Sequence, residues 1–147
     1  MISGTTRWRR HAIELAEELH RLQGCQAPRI DRACEQALQV SLRVDGRSFL
    51  LLHVDPEDSS GQLLLQSCFG RVPDHRAPEV FRQALTLNQG LARNLSGMFT
   101  LDVRDSTLVY SLLTPMTGLS APSLLESMRQ IAALALDWQR TCPGDLQ

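Results

Sequence analysis

No lysine occurs in this chain: all fifteen basic residues are arginine. That absence excludes a Walker A phosphate loop, a Schiff-base lysine and a kinase-type strand lysine. Excess charge is lacking as well. Fifteen basic against sixteen acidic residues leave a net charge of −1, which gives no electrostatic basis for binding nucleic acid. No apolar run approaches the length that crosses a bilayer, so no membrane insertion is expected. Met1 to Arg10 is polar and basic with no apolar segment behind it, which predicts no secretory signal and a cytoplasmic location. The four cysteines, Cys25, Cys34, Cys68 and Cys142, form no C-x-x-C and no zinc-ligand spacing with His11, His20, His53 or His75. Free thiols in a reducing compartment are the expectation, with no metal. Nor is there a G-x-S-x-G, H-E-x-x-H, G-x-G-x-x-G or Cys/His nucleophile context, so no enzyme activity and no cofactor are expected. Asp102 and Asp105 are neighbours at a strand end and turn, where acids serve backbone conformation rather than acid/base chemistry. His53 falls within a strand and reads as a hydrogen-bonded structural histidine.

What the 147 residues do contain is enough apolar material for a core: 43% hydrophobic against 21% charged, which fits a single domain spanning 1–147 with its core at about 8–140. Its centre is Leu38 to Phe69. Leu38, Val40, Leu42 and Val44 alternate with polar residues at the period of a strand with one wet face. Asp45-Gly46 is a two-residue hairpin turn by composition. The return strand, Arg47 to Asp55, holds the continuous apolar run Phe49 to Leu52, predicting cover on both faces. Pro56 to Gly61 turns the chain, and Gln62 to Phe69 makes a third strand through Leu63, Leu64 and Leu65.

Helices flank this meander. Trp8, Ala12, Leu15, Leu19 and Leu22 recur at steps of four and three, predicting a helix from Trp8 to about Leu22, capped by Thr5 or Thr6 and ended at Gly24. Its apolar face can serve the chain's own core or a partner's apolar segment. Gln26 to Gln36 reads as a connection with about one helical turn. Pro78 suits the first turn of a second helix whose inward face is Phe81, Ala84, Leu85, Asn88 and Leu91 or Ala92, stopping at Gly90 or running to about Asn94. Ser96-Gly97 turns into a strand through Phe99, Leu101 and Val103. Asp105-Ser106 turns back into Thr107 to Leu113. A last helix starts near Pro122, with Ser120 and a Ser123–Glu126 pair as competing caps, and ends at Cys142-Pro143-Gly144. Its breadth of apolar residues, including Leu134 and Leu136, predicts extensive burial. The fold class is α+β, in the order α-β-β-β-α-β-β-α, with an antiparallel five-stranded twisted sheet and three helices.

One sheet with helices on one face leaves apolar surface over, which predicts association with another polypeptide, a homodimer or a binding partner. With this element order, the segment Ala84-Leu85-Thr86-Leu87-Asn88, Leu91 to Asn94, Gly97-Met98-Phe99-Thr100-Leu101-Asp102 and Leu108-Val109-Tyr110-Ser111-Leu112 resembles the class I, effector-specific, Tir-chaperone-like type III secretion chaperones of bacteria. A similar leucine-asparagine helix end there precedes a glycine-led strand and its hairpin partner. The resemblance runs over about residues 8–140, closing on a helix with Leu125, Ala132, Ala135 and Trp138.

The resemblance implies a cytoplasmic bacterial homodimer that holds the amino-terminal segment of a secreted effector extended, keeps it soluble and presents it to the export apparatus. It implies dimer contacts at Leu85, Leu87, Leu91, Phe99 and Leu101. It implies partner contacts at Leu15, Leu19, Val40, Leu42, Phe49, Leu51, Leu63 and Leu65, of which about half are expected to be core alone. Alternatives are a chaperone-like protein that sequesters a secretion regulator, and an α+β domain with a small-molecule pocket, which would be a monomer.

Overall fold

The computed structural model of the chain describes residues 4–26, 28–30, 37–53, 61–93 and 97–141. Cys34, Cys142, the Pro56–Ser60 turn, Ser96 and most of the Gln26–Gln36 connection lie outside them. Helix α1 (Gly4–Leu22) leads to strands β1 (Leu38–Val44), β2 (Arg47–His53) and β3 (Gln62–Arg71). After a 3-10 turn come α2 (Ala77–Arg93), β4 (Met98–Asp102), β5 (Thr107–Pro115) and α3 (Ala121–Thr141). The five strands form one sheet in the order β1-β2-β3-β5-β4 with antiparallel pairing throughout. This is the α+β architecture expected from the sequence.

The first hairpin forms because Asp45 and Gly46 both take positive φ, 50° and 78°, the geometry that matches the twist of the flanking strands. It sets the register Leu42↔Phe49 and Val40↔Leu51. One face of the sheet therefore collects Leu38, Val40, Leu42, Val44, Phe49, Leu51, Leu63 and Leu65, all buried. Helices α1 and α3 pack on each other and on this face, through Ala12, Leu15, Ala16 and Leu19 from one and Leu124, Met128, Ile131 and Ala135 from the other. Complete burial of a side chain such as Leu65, 0% exposed, contributes about 1.5–3 kcal/mol. A second knot of core is aromatic: Phe69, Phe99, Tyr110 and Trp138 meet with ring centroids 5.0–6.0 Å apart.

Helix α1 starts a turn earlier than its apolar spacing suggested, so Thr5 and Thr6 lie inside it. At its other end Gly24 takes the left-handed φ of 68° expected of a helix stop. Ser120 and Ser123 cap α3 reciprocally: each backbone N–H donates to the other's Oγ at 3.3 Å. Glu126 is not needed for that cap. Helix α3 is less buried than its composition predicts, since Leu136 is exposed and Leu134 half-buried. Gly61, with φ 65°, lets β3 begin against the face of the Trp8 ring, where a Cβ would collide. Its carbonyl accepts the Met116 N–H at 2.8 Å, joining α1, β3 and the β5–α3 loop.

Candidate functional site

All eight residues expected at the partner surface are enclosed within the single chain, none more than 7% exposed. The reason is strand phase. In β2 and β3 the residues at Phe49, Leu51, Leu63 and Leu65 point toward α1 and α3, and so do Leu15 and Leu19 from α1 itself. Their strand neighbours form the opposite face of the sheet.

Those neighbours make a row. Leu52 pairs with Leu64, and Leu64 with Leu113, on the sheet face opposite the helices. At strand spacing of about 4.8 Å the three leucines lie side by side across β2, β3 and β5 over about 10 Å. Leu52 and Leu64 are half-buried by their neighbours, while Leu113 is 57% exposed. The next row pairs Leu50, Gln66, Ser111 and Met98, tied by a hydrogen bond from Gln66 Nε2 to Ser111 Oγ at 3.1 Å. A groove of about 560 Å³ crosses the same face, lined by Ser41, Arg43, Leu50, Gln66, Cys68 and Val109. The prediction that β2 is covered on both faces is thus corrected: among the described residues, α1 and α3 cover the face of Phe49 and Leu51, while Leu50 and Leu52 lie on the opposite face and stay half-buried.

The other apolar surface lies at the β4 end, where α2 packs on the edge strand. Of the five expected interface residues, Leu85 is 68% and Leu101 38% exposed. Leu87 and Leu91 are half-buried. Phe99 is buried in the aromatic knot and presents no side chain outward. Met98 and Val103, which the periodicity did not single out for this role, are also exposed, one at each end of β4. Between the end of α2, β5 and α3 lies a cavity of about 400 Å³ lined by Leu91, Tyr110, Leu112, Ile131 and Leu134. Burial pushes the Tyr110 hydroxyl above its ordinary pKa, so it stays protonated and can donate.

Asn88 holds this end together in a way that no sequence pattern announces. Its Nδ2 donates to the Phe99 carbonyl at 3.0 Å, and its Oδ1 accepts the Phe99 N–H at 2.6 Å. The side chain thereby supplies both bonds that a further strand would make at Phe99, closing part of the β4 edge. Asn88→Ala is expected to leave two backbone groups without those bonds and to lower stability by about 1–3 kcal/mol. Asn88→Asp, which retains only the acceptor, is expected to lose stability too, because a carboxylate would face the Phe99 carbonyl. Urea denaturation of the two variants measures both effects.

The acids at the β4–β5 turn serve conformation, as expected. Asp102 accepts the Arg104 N–H at 3.1 Å and pairs with its guanidinium at 2.8 and 3.0 Å, and Asp105 accepts the Thr107 N–H at 3.2 Å. The Arg104 hydrogen bonds hold the Asp102 carboxyl down at about 2. His53 is buried on the core side of β2. Cys25 and Cys68 are free thiols. Among the described residues no group of three His, Cys, Asp or Glu side chains is placed to hold a metal ion, and no helix is long and apolar enough to cross a membrane.

The model of the Tir chaperone protein (CesT) family matches residues 20–139 of the chain. Comparison with curated proteins gives no match. Among solved structures, the crystal structure of the ExsC–ExsE complex contains a chain similar to this one at a TM-score of 0.66 and 19% identity, over 87% of this chain and 90% of that one. The HopA1–SchA chaperone–effector complex matches at 0.61 and 18%, over 96% and 97%. The ExoT–SpcS complex from Pseudomonas aeruginosa matches at 0.56 and 17%, over 88% and 96%. At such identities the likeness is one of fold.

Proposed function

The chain belongs to the Tir chaperone protein (CesT) family, and on that premise we propose that it is a type III secretion chaperone. As a cytoplasmic homodimer it binds the amino-terminal segment of a secreted effector and keeps that segment soluble and competent for export. The observation that carries this reading is the leucine row Leu52–Leu64–Leu113, set on the sheet face opposite α1 and α3.

A disordered segment loses conformational freedom when it binds, a cost of about 2–5 kcal/mol. A single shallow pocket does not offset that cost; a chain of apolar anchors along an extended track does. The row and the groove beside it supply such a track, and a second copy related by a two-fold axis would double it. Leu85 and Leu101, with Met98 and Val103, form the surface through which the two copies meet. The likeness in fold to a chain of a chaperone–effector complex supports the same reading.

The test is capture from the native bacterium on the immobilised protein, followed by limited proteolysis. A protected amino-terminal fragment of one captured protein is the expected result, and its identity separates an effector from a sequestered regulator. Leu64→Ser combined with Leu113→Asp is expected to leave the fold intact and reduce capture by about tenfold or more, the equivalent of losing roughly 1.4 kcal/mol of contact. Undiminished capture by that folded variant would move the client to another face.

A further inference from the structure

The first half of α1 carries a charge pattern that works against the helix. Arg7, Arg9 and Arg10 stand in its early turns, and no acid occupies the first turn. The amino-terminal end of a helix already bears partial positive charge, so arginines there cost stability and acids would add it. Arg7 and Arg10 are exposed, and His11 is half-buried beside them. They line a cleft of about 270 Å³ with the Trp8 ring, closed on its far side by Met116, Thr117 and Gly118 of the β5–α3 loop. The Arg7 guanidinium lies 5.3 Å from the centre of the Trp8 ring. At that distance the guanidinium makes a cation–π contact and keeps N–H groups that can pair with a planar anion. The imidazole of His11 stands edge-on to the same ring at 6.4 Å. Glu14 also lines the cleft, so its two arginines and one glutamate leave a formal charge of +1.

We propose that this cleft is a carboxylate-binding site that takes an acidic segment of the partner polypeptide. The proposal rests on the chaperone reading for the nature of the partner, and it adds a polar, salt-sensitive anchor distant in kind from the leucine row. A net +1 suits one or two carboxylates held in a short extended stretch. It does not suit a nucleic acid, whose affinity comes from neutralising many phosphates at once.

The experiment titrates the full-length protein with a blocked polyglutamate peptide, followed by fluorescence of Trp8, the half-buried one of the two tryptophans. Saturable binding that weakens as salt rises is expected, with none to a polyglutamine peptide. Arg7→Gln/Arg10→Gln is expected to weaken binding by about tenfold or more. The same variant is expected to keep or raise the melting temperature, because it relieves the opposition to the helix dipole, and a purely structural role would give the reverse. Equal binding of polyglutamine, no effect of the double substitution, or tighter binding of a single-stranded oligonucleotide than of the peptide would each overturn the proposal. The titration needs no native client, so its failure removes the cleft and leaves the capture experiment above to decide the chaperone reading.

Discussion

Phe99→Ala is expected to lower the free energy of unfolding by about 3–5 kcal/mol, the range for deleting a large aromatic ring from a packed interior. Phe99 is 5% exposed and touches three aromatic rings: Phe69 edge-on at 5.0 Å, Tyr110 at 5.2 Å and Trp138 at 5.4 Å. These contacts join β3, β5 and α3, and its backbone is the group that Asn88 holds from α2. Removing the ring opens a cavity where four elements converge, and each lost aromatic pair adds about 0.5–1.5 kcal/mol to the cost of burial alone. For a domain of this length that corresponds to a melting temperature lower by roughly 10 °C. Urea denaturation monitored by tryptophan fluorescence measures it directly. A loss below about 1 kcal/mol, as is usual for surface positions, would mean that Phe99 is not a core residue.

Leu85→Asp together with Leu101→Asp is expected to convert the proposed dimer into a monomer that remains folded. Both side chains are exposed on the single chain, at 68% and 38%, so their replacement costs the isolated fold only about 0.5 kcal/mol each. In a two-fold interface every substitution appears twice, so two changes place four carboxylates in one apolar contact. Desolvation and mutual repulsion of buried like charges amount to several kcal/mol, which raises the dissociation constant by about a hundredfold or more. Sedimentation velocity at matched concentrations reads the result as a halving of apparent mass. A variant that stays dimeric places the contact elsewhere. A wild-type chain that is monomeric at high concentration would remove the dimer from the proposed function altogether. The two experiments separate residues that the sequence grouped together, since Phe99 and Leu101 both stood as interface candidates on one face of β4 and the structure buries Phe99 while leaving Leu101 38% exposed.

The order of elements was legible because each is written in a local rule. Alternation from Leu38 to Val44, the Asp45-Gly46 turn, the four-three spacing of α1 and the placing of Pro78 at the start of α2 each act over a few residues. The apolar excess that pointed to a protein partner was legible for the same reason. The two faces of the sheet were harder to tell apart. Phe49 to Leu52 and Leu63 to Leu65 are apolar in both phases, so alternation offers no contrast between the side that meets α1 and α3 and the side that meets solvent. Phe49, Leu51, Leu63 and Leu65 stood as partner-facing candidates; the fold buries them against α1 and α3 and leaves Leu50, Leu52, Leu64 and Leu113 on the other face.

The bond from Asn88 to Phe99 was illegible for a related reason. An amide on a helix stripe is ordinary until the strand eleven residues later arrives beside it. The sequence by itself determined which segments form helices and strands, how the first hairpin turns and that apolar surface exceeds what one layer of helices covers. Only the tertiary structure decided which leucines the helices take and which edge of the sheet is closed. Those choices depend on where α1, α2 and α3 settle against strands distant in the chain, and no local periodicity encodes that placement.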